Sequence, residues 1–192
     1  MMKRYFEILK LALPVMISQV GLIIVSFADN VMVGHYSTQS LASASFVNNV
    51  FNVSIFCAMG FSYGLTPLIG ILFSRGDNRE IGHTLRAGMK VNIIAGIVLT
   101  AVMAALYPYL PRMGQPEELL PLIRPYYLIV LASIIPMTIF NAFAQWSYAI
   151  RNTSMPMWIL LGCNAANILG NYILIFGNWG APELGLTGAG IS

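Results

Sequence analysis

Five long apolar runs constrain this chain more than any other feature of its sequence. They cover residues 11–34, 41–73, 91–107, 119–143 and 158–176. Each is long enough for a helix that crosses a bilayer, which needs about 20 residues with a range of about 17–25. Only 9% of the residues are charged, against about 25% in soluble domains, and apolar runs of this length exclude a membrane barrel of alternating strands. The sequence therefore predicts an all-α fold, a polytopic transmembrane helical bundle with five full spans.

The two ends of the chain need separate interpretation. The start, MMKRYFEILKLALPV, is basic and then apolar like a signal peptide, but the apolar run outlasts the roughly 7–15 residues of such a segment. We interpret it as a retained first span. The last residues, GNWGAPELGLTGAGIS, are typical of a Gly-rich loop followed by the start of a sixth helix. We therefore expect residues 1–192 to be a fragment of a longer membrane protein.

The basic residues predict the orientation in the membrane. Eight of the ten precede the first run or lie in alternate connections: Lys3, Arg4, Lys10, Arg75, Arg79, Arg86, Lys90 and Arg151. The side of a membrane protein that is richer in Lys and Arg is usually cytoplasmic, so we expect the N-terminus inside the cell. Because these residues form no continuous stripe, the net charge of +3 does not indicate a nucleic-acid partner.

Asp29 is the one acidic residue predicted to lie inside the membrane. It occurs in the stretch IVSFADNVMVG, near the end of the first run that we expect to face outward. A carboxylate at the bilayer centre costs roughly 2.5–3.5 kcal/mol on insertion scales, and such residues usually mark functional sites. No Lys or Arg lies deep in a predicted span to neutralise this charge. Asp29 is therefore the first candidate binding residue.

Three asparagines in the fifth run share one predicted helix face. Asn164, Asn167 and Asn171 are spaced i, i+3 and i+7. At a rise of 1.5 Å per residue, Asn171 lies roughly 9 Å and Asp29 roughly 7 Å below the outer boundary, so the carboxylate and the amides are expected to meet. The alternative is that the asparagines only join helices, at about 0.6 kcal/mol per hydrogen bond. Because hard cations prefer oxygen ligands, we predict a site for Na⁺ or a proton at Asp29, Asn167 and Asn171.

Further asparagines occur in the outer part of the second run. Asn48 and Asn52 share a helix face, and Asn49 lies beside them. Two interpretations stay open for this group. Either Asn48 and Asn52, together with Asn164, line a water-filled cavity, or these amides join helices by hydrogen bonds.

The motif GFSYG at residues 60–64 fits the G-x-S-x-G pattern of a catalytic serine. That pattern needs a strand, a turn and a helix, with an acid and a histidine as partners. Here it lies within a predicted helix, and His35 and His83 are expected near opposite membrane faces. We therefore predict no enzyme, and we expect the two glycines at the ends of the motif to form a small-residue packing face.

The cysteines indicate neither a cofactor nor a metal centre. Cys57 and Cys163 lie in separate apolar runs and have no CxxC spacing. We expect both to be packing residues, and we predict no cofactor other than a coupling ion.

Two segments resemble the multidrug and toxic compound extrusion (MATE) family of transporters. In LALPVMISQVGLIIVSFADNVMVG, Pro14, Asp29 and Gly34 match the proline, the acid and the glycine of the family's first helix. In NILGNYILIFG and GAPELGLTGAG, six residues match the end of the fifth helix and the start of the sixth: Asn167, Asn171, Gly177, Pro182, Gly185 and Gly188. The resemblance covers essentially the whole chain as the family's N-terminal lobe.

The resemblance implies twelve helices in two six-helix lobes, so residues 1–192 would be the N-terminal lobe and their partner the C-terminal lobe. It implies export of small organic cations in exchange for inward Na⁺ or H⁺, in the bacterial inner membrane. It also implies a cation site at Asp29, Asn167 and Asn171 and a helix kink at Pro14. One branch of the family carries an acid where this chain has Asn171, and that departure favours Na⁺ over a proton shared by two carboxylates.

Three other functions are weighed against this one. A lipid-linked oligosaccharide flippase of the same superfamily is the alternative within this fold, but it would need a more cationic cavity than spans without deep Lys or Arg provide. A channel is expected to show rings of charge or a carbonyl filter. A membrane enzyme has only the GFSYG motif in its favour.

Overall fold

The computed structural model describes the backbone of residues 2–192 and the side chains of residues 5–192, so the side chains of Lys3 and Arg4 lie outside the described residues. Within this range the chain is helical and contains no strand. The α-helices are α1 (Met2–Tyr36), α2 (Thr38–Tyr63), α3 (Leu65–Arg75), α4 (Asn78–Leu106), α5 (Leu120–Ala149), α6 (Ser154–Phe176) and α7 (Leu186–Ile191). The predicted all-α fold is confirmed.

Five helical segments are long and apolar enough to cross a membrane. They are Tyr5–Tyr36, Thr38–Arg75, Asn78–Arg112, Glu117–Ala149 and Ser154–Phe176. Each contains one of the five apolar runs, so the predicted number of spans is confirmed. The short helix α7 lies where the sequence predicts the start of a sixth helix.

The second span is broken, which the hydropathy pattern did not predict. α2 ends at Tyr63, Gly64 lies between the helices, and α3 begins at Leu65. Pro67 explains the position of the break, because a proline has no N–H to donate to the carbonyl four residues earlier and its ring clashes with that carbonyl. That carbonyl belongs to Tyr63. The predicted span over residues 41–73 is therefore confirmed, and it consists of two successive helices, α2 and α3.

One end of the bundle holds Lys10 and Arg151, and we call it the basic end. At this end the helices extend beyond the apolar runs. α4 begins at Asn78 rather than near residue 91, so Arg79 and Arg86 lie on a helix and not in a connection. This first part of α4 is amphipathic: buried Ile81 and partly buried Leu85 and Met89 pack in the cluster formed by α3, α4 and α5. A search for continuous apolar runs does not detect such a helix, because its polar positions interrupt the run.

Helix α5 is the centre of the bundle and packs against α2, α3, α4 and α7. Its side chains Ile123 and Tyr127 are fully buried beside Val47 and Phe51 of α2. The Tyr127 hydroxyl donates to the carbonyl of Met103 at 2.7 Å. Tyr127 therefore contributes to the packing between α5, α2 and α4.

Helix α1 lies beside this group and packs mainly against α6. Its other faces expose large apolar side chains, and Phe27 is 70% exposed, as expected for a helix that contacts lipid. α1 continues through Pro14, and the Ser18 hydroxyl donates to the Pro14 carbonyl at 2.9 Å. A kink at Pro14 stays a prediction.

The cysteines do not lie where the sequence predicts them. Cys57 and Cys163 are both exposed, so the expectation that they are packing residues is wrong. In a membrane-spanning bundle the residues of an apolar run form all faces of the helix. The run alone therefore does not distinguish the buried face from the lipid-facing one.

Candidate cation site

Asp29 and Asn171 meet at the interface between α1 and α6. The Asn171 Nδ2 group donates a hydrogen bond to Asp29 Oδ1 at 2.6 Å, across 142 residues of sequence. Asn171 is 1% exposed, whereas Asp29 is only partly buried. A hydrogen bond to a charged group contributes about 1.5–3 kcal/mol, so this contact both joins the helices and orients the carboxylate.

Asn171 connects three elements through its side-chain amide. Its Nδ2 group also donates to Oδ1 of Asn167, one turn earlier on α6, at 3.3 Å. Its Oδ1 atom accepts a hydrogen bond from the Ser192 hydroxyl. An amide offers two donor hydrogens and an acceptor oxygen, and here all of these groups are used. The network therefore links α1, α6 and the residue that follows α7.

Ser192 is a neighbour of the site that sequence analysis missed. It reaches Asn171 because glycines occupy the contact between α6 and α7. A Cβ atom at Gly170 would lie 2.7 Å from Ser192 Cβ, and one at Gly188 would lie 2.5 Å from the Leu174 carbonyl oxygen. The available signal was the spacing of small residues, which lets helices approach closely.

Asn164 lies outside this network. Its Nδ2 atom is buried and has no hydrogen-bond partner among the described residues. It packs against α1 at Gly21, where a Cβ atom would lie 3.1 Å from this nitrogen. The structure thus brings Asp29, Asn167 and Asn171 together and leaves Asn164 apart, although all three asparagines share a helix face.

A cavity of about 250 Å³ opens beside Asp29. Its polar lining includes Ser26, Asn30 and Asn48 as well as Asp29 itself. From α5, the Tyr126 hydroxyl donates to Asn48 Oδ1 at 3.3 Å. The carboxylate is therefore held by Asn171 on one side and faces a polar cavity on the other.

A second cavity of about 380 Å³ lies between α1 and α2. Its polar lining consists of six uncharged side chains: Ser26, Asn30, Ser45, Asn48, Asn49 and Asn52. Asn48 lines both cavities, so the two adjoin. Asn48 and Asn52 lie on this concave surface, whereas Asn164 lines neither cavity.

The residues around Asp29 fit a small hard cation. The Asp29 carboxylate and the amide oxygens of Asn167 and Asn171 are of the type that hard cations prefer. In the arrangement described, the Asn171 amide turns its nitrogen to Asp29 and its oxygen to Ser192. Among the residues that the structure describes, no group of three His, Cys, Asp or Glu side chains is arranged to hold a metal ion. The chemical types of these donors are therefore those that a proton or a monovalent cation requires.

Other buried or partly buried polar side chains pair with each other near the middle and the basic end of the bundle. The Ser62 hydroxyl donates to Asn92 Oδ1 at 2.6 Å, which joins α2 to α4. The Thr66 hydroxyl donates to Gln145 Oε1 at 2.6 Å, which joins α3 to α5. These pairs contain no charge and connect helices.

The GFSYG motif is structural in this fold. Ser62 is fully buried, and its hydroxyl is occupied by Asn92 rather than by a histidine. A Cβ atom at Gly60 would meet nothing within 4 Å, and one at Gly64 would meet only the Phe61 carbonyl, at 3.5 Å. The prediction that these glycines form a packing face is wrong, because no other helix in the part of the chain that the structure describes approaches them.

Curated relatives of this chain are named probable multidrug resistance proteins. A probable multidrug resistance protein NorM from Bradyrhizobium diazoefficiens is 30% identical over 188 residues, which cover 98% of this chain and 40% of the relative. Another from Synechococcus sp. is 29% identical over 186 residues, with 97% and 40% covered. The chain therefore spans about 40% of the length of these relatives.

The fold is that of a solved transporter. A structure described as the outward-facing conformation of a multidrug resistance MATE family transporter of the MOP superfamily matches with a TM-score of 0.86 and 21% identity. The match covers 96% of this chain and 40% of that chain. The family model described as MatE matches residues 14–173. Since this match includes most of the sequence, the chain belongs to the MatE family, a family of transporters and not of enzymes, as its MATE resemblance predicted.

Proposed function

We propose that residues 1–192 form the N-terminal lobe of a secondary multidrug antiporter, which exports organic cations in exchange for inward Na⁺ or H⁺. The observation that carries this proposal is the contact between Asp29 and Asn171 beside a polar cavity. The names of the relatives support multidrug efflux, and their greater length supports a second lobe as partner.

The donor set favours Na⁺ as the coupling ion. In the arrangement described, Asn171 gives its NH₂ group to Asp29, which stabilises the carboxylate without a cation. Rotation of the amide about its last torsion exchanges nitrogen and oxygen, and an oxygen is the group that a cation at Asp29 requires. Because Asn171 is neutral, the pair has one carboxylate only, and a proton shared between two carboxylates is not available to it.

In this proposal the organic cation and the coupling ion compete for the Asp29 carboxylate. This competition couples export of the organic cation to entry of the ion. The two cavities near Asp29 are lined by no Lys or Arg, so an organic cation meets no repulsion there and is attracted by Asp29. A coupling ion that neutralises Asp29 weakens this attraction, and by linkage the organic cation weakens the binding of the ion to the same degree. Conversion of binding into export needs two units that move against each other around the site, which is the role of the second lobe.

The proposed setting is the bacterial inner membrane with the N-terminus in the cytoplasm. Successive spans run in alternate directions, so Lys10, Arg75, Arg79 and Arg151 all belong to one end of the bundle. The positive-inside rule assigns such an end to the cytoplasm. The relatives described above are bacterial proteins.

Replacement of Asp29 by Asn tests the proposal. The protein, expressed from its complete reading frame, is reconstituted in vesicles, and efflux of a cationic dye is driven by an imposed Na⁺ or pH gradient. With equal amounts of wild-type and variant protein in the vesicles, we expect Asp29→Asn to reduce the initial rate of dye efflux to the rate in protein-free vesicles. The reason is that the variant lacks the carboxylate for which the dye and the coupling ion compete. Insertion should be retained, since a neutral side chain costs less to bury in a membrane.

Asp77→Asn is the matched control for this experiment. It makes the same chemical change at the exposed N-cap of α4, where the Asp77 side chain accepts a hydrogen bond from the Glu80 N–H, and asparagine caps helices about as well as aspartate. The control should transport like the wild type. Efflux by Asp29→Asn at the rate of this control would contradict the proposal.

A further inference from the structure

A third cavity lies at the basic end of the bundle, far from Asp29. It has a volume of about 500 Å³ and lies between the start of α1 and the connection from α5 to α6. At 1.5 Å per residue, Lys10 on its wall is about 28 Å from Asp29 along α1. Among the residues whose side chains the structure describes, the charged ones in its lining are Lys10, Arg151 and Glu7, two cations and one anion.

A fixed turn presents Arg151 to this cavity. Arg151 has φ 63°, a left-handed conformation that residues other than glycine rarely adopt. Hydrogen bonds on both sides hold the turn: Arg151 N–H to the Tyr148 carbonyl at 3.0 Å, Asn152 N–H to the Ser147 carbonyl at 2.9 Å, and the Ser147 hydroxyl to the Asn152 carbonyl at 2.6 Å. The backbone of the turn is satisfied by these bonds, and the exposed Arg151 side chain is left for another partner.

The uncharged polar groups of the cavity are also suited to an anion. Thr153 is only 8% exposed, lines the cavity and makes no side-chain cap hydrogen bond to α6. Ser154 begins the 23-residue helix α6 in the same lining, and the first N–H groups of a helix have no partner within it. An ammonium, a guanidinium, the Thr153 and Ser154 residues and the start of α6 therefore line one space. In the first turn of α6 the Met155 N–H already donates to Asn152 Oδ1 at 3.4 Å and Pro156 has no N–H, so the two basic side chains are the main groups for an anion.

We propose that this cavity binds the phosphate group of an anionic phospholipid. Arg recognises phosphate through paired hydrogen bonds and Lys through a compact charge, and helix N-termini bind such anions. Ile8 and Leu11 of α1 add an apolar wall to the same cavity, and Ile8 is 63% exposed on the surface of the bundle. A phospholipid uses both parts of this lining, whereas free phosphate uses only the polar part.

Binding is tested by native mass spectrometry of the protein expressed from its complete reading frame. Phosphatidylglycerol, phosphatidylcholine and inorganic phosphate are titrated separately. The test variant Lys10→Gln/Arg151→Gly removes both cations, and glycine accepts the positive φ, so the turn is kept. The control Arg79→Gln/Lys90→Gln removes the same charge from exposed positions of α4 that are absent from the cavity lining.

We expect wild type and control to bind phosphatidylglycerol equally and more tightly than phosphatidylcholine. The test variant should bind it about tenfold more weakly, which corresponds to about 1.4 kcal/mol. Equal affinity in the test variant and the control would overturn the proposal. Binding of inorganic phosphate as tight as that of phosphatidylglycerol would overturn the assignment to a lipid.

Glu7→Gln gives a second test that does not depend on the stability of the double variant. Glu7 is exposed on α1, and its carboxylate repels a phosphate in the same cavity. The substitution should therefore lower the dissociation constant for phosphatidylglycerol several-fold. An unchanged or raised dissociation constant would contradict the proposed position of the phosphate.

Discussion

Two regions of the bundle bury amide side chains, and only one of them contains a charge. In the first, Asn92 accepts from Ser62 and Gln145 accepts from Thr66, so neutral donors and acceptors pair with each other. In the second, Asn171 donates to the Asp29 carboxylate, which also faces a cavity. A carboxylate has about four acceptor positions, so the contact with Asn171 leaves capacity for a further ligand.

This difference separates helix packing from binding. A neutral pair is complete when its two groups meet, and its removal affects the stability of the bundle. A carboxylate in a membrane requires compensation for its charge, and a cation or a proton supplies it. The amide content of a helix is therefore a weak indicator of a site, whereas an amide next to an acid and a cavity is a strong one.

Among the variants that test this difference between the two regions, Asn171→Asp is expected to have the largest effect. Two carboxylates close together disfavour joint ionisation, so one of them holds a proton more readily. We expect the ratio of Na⁺-driven to proton-driven dye efflux to fall about tenfold, the change that 1.4 kcal/mol produces. The two gradients are compared in the same vesicle preparation. A ratio equal to that of the wild type would show that Asn171 does not contribute to ion selection.

A moderate effect on stability alone is expected for Asn92→Ala. The Ser62 hydroxyl keeps its second acceptor, the Ala58 carbonyl at 3.2 Å, so only one interhelical bond is lost. Such bonds contribute about 0.6 kcal/mol on average and at most about 1.7 kcal/mol in a membrane protein. The free energy of unfolding, measured with denaturant in detergent, should fall by this amount. The ratio of Na⁺-driven to proton-driven efflux should stay at the wild-type value, and a change in it would break the distinction between the two regions.

The smallest effect is expected for Asn164→Ala. The Asn164 Nδ2 atom has no partner among the described residues, so the substitution removes a buried unsatisfied group along with some packing. We expect the free energy of unfolding to change by less than about 0.5 kcal/mol, as for substitutions that break no specific interaction. Ion dependence should not change either. A loss of Na⁺ coupling would instead make Asn164 part of the site.

The depth of each residue along its helix was enough to predict the contact between Asp29 and Asn171 from the sequence. Asp29 and Asn171 lie at similar distances from the same ends of their helices, and the structure joins them at 2.6 Å. The prediction works because spans are rigid, nearly parallel rods of known rise. The spacing i, i+3 and i+7 grouped Asn164 with Asn167 and Asn171 on one helix face, and the structure separates Asn164 from the other two, because a shared face does not imply shared partners.

Two features were not predictable from hydropathy and depth, one caused by a single proline and the other by a tertiary contact. The break at Gly64 follows from Pro67, whose effect on the carbonyl of Tyr63 is invisible to an average over apolar residues. Ser192 lies outside every apolar run and contacts Asn171 only because α6 and α7 approach closely at Gly170 and Gly188. Hydropathy identifies spans, but the packing of individual residues decides their faces.

Direct measurement of Na⁺ binding tests the central claim most directly. Protein from the complete reading frame, purified in detergent, is equilibrated with radioactive sodium at a constant total concentration of sodium and choline. The account predicts saturable binding of a single Na⁺ by wild type and by Asp77→Asn, and none by Asp29→Asn. Binding of Na⁺ by Asp29→Asn with the wild-type affinity would contradict the assignment of Asp29 as the cation ligand.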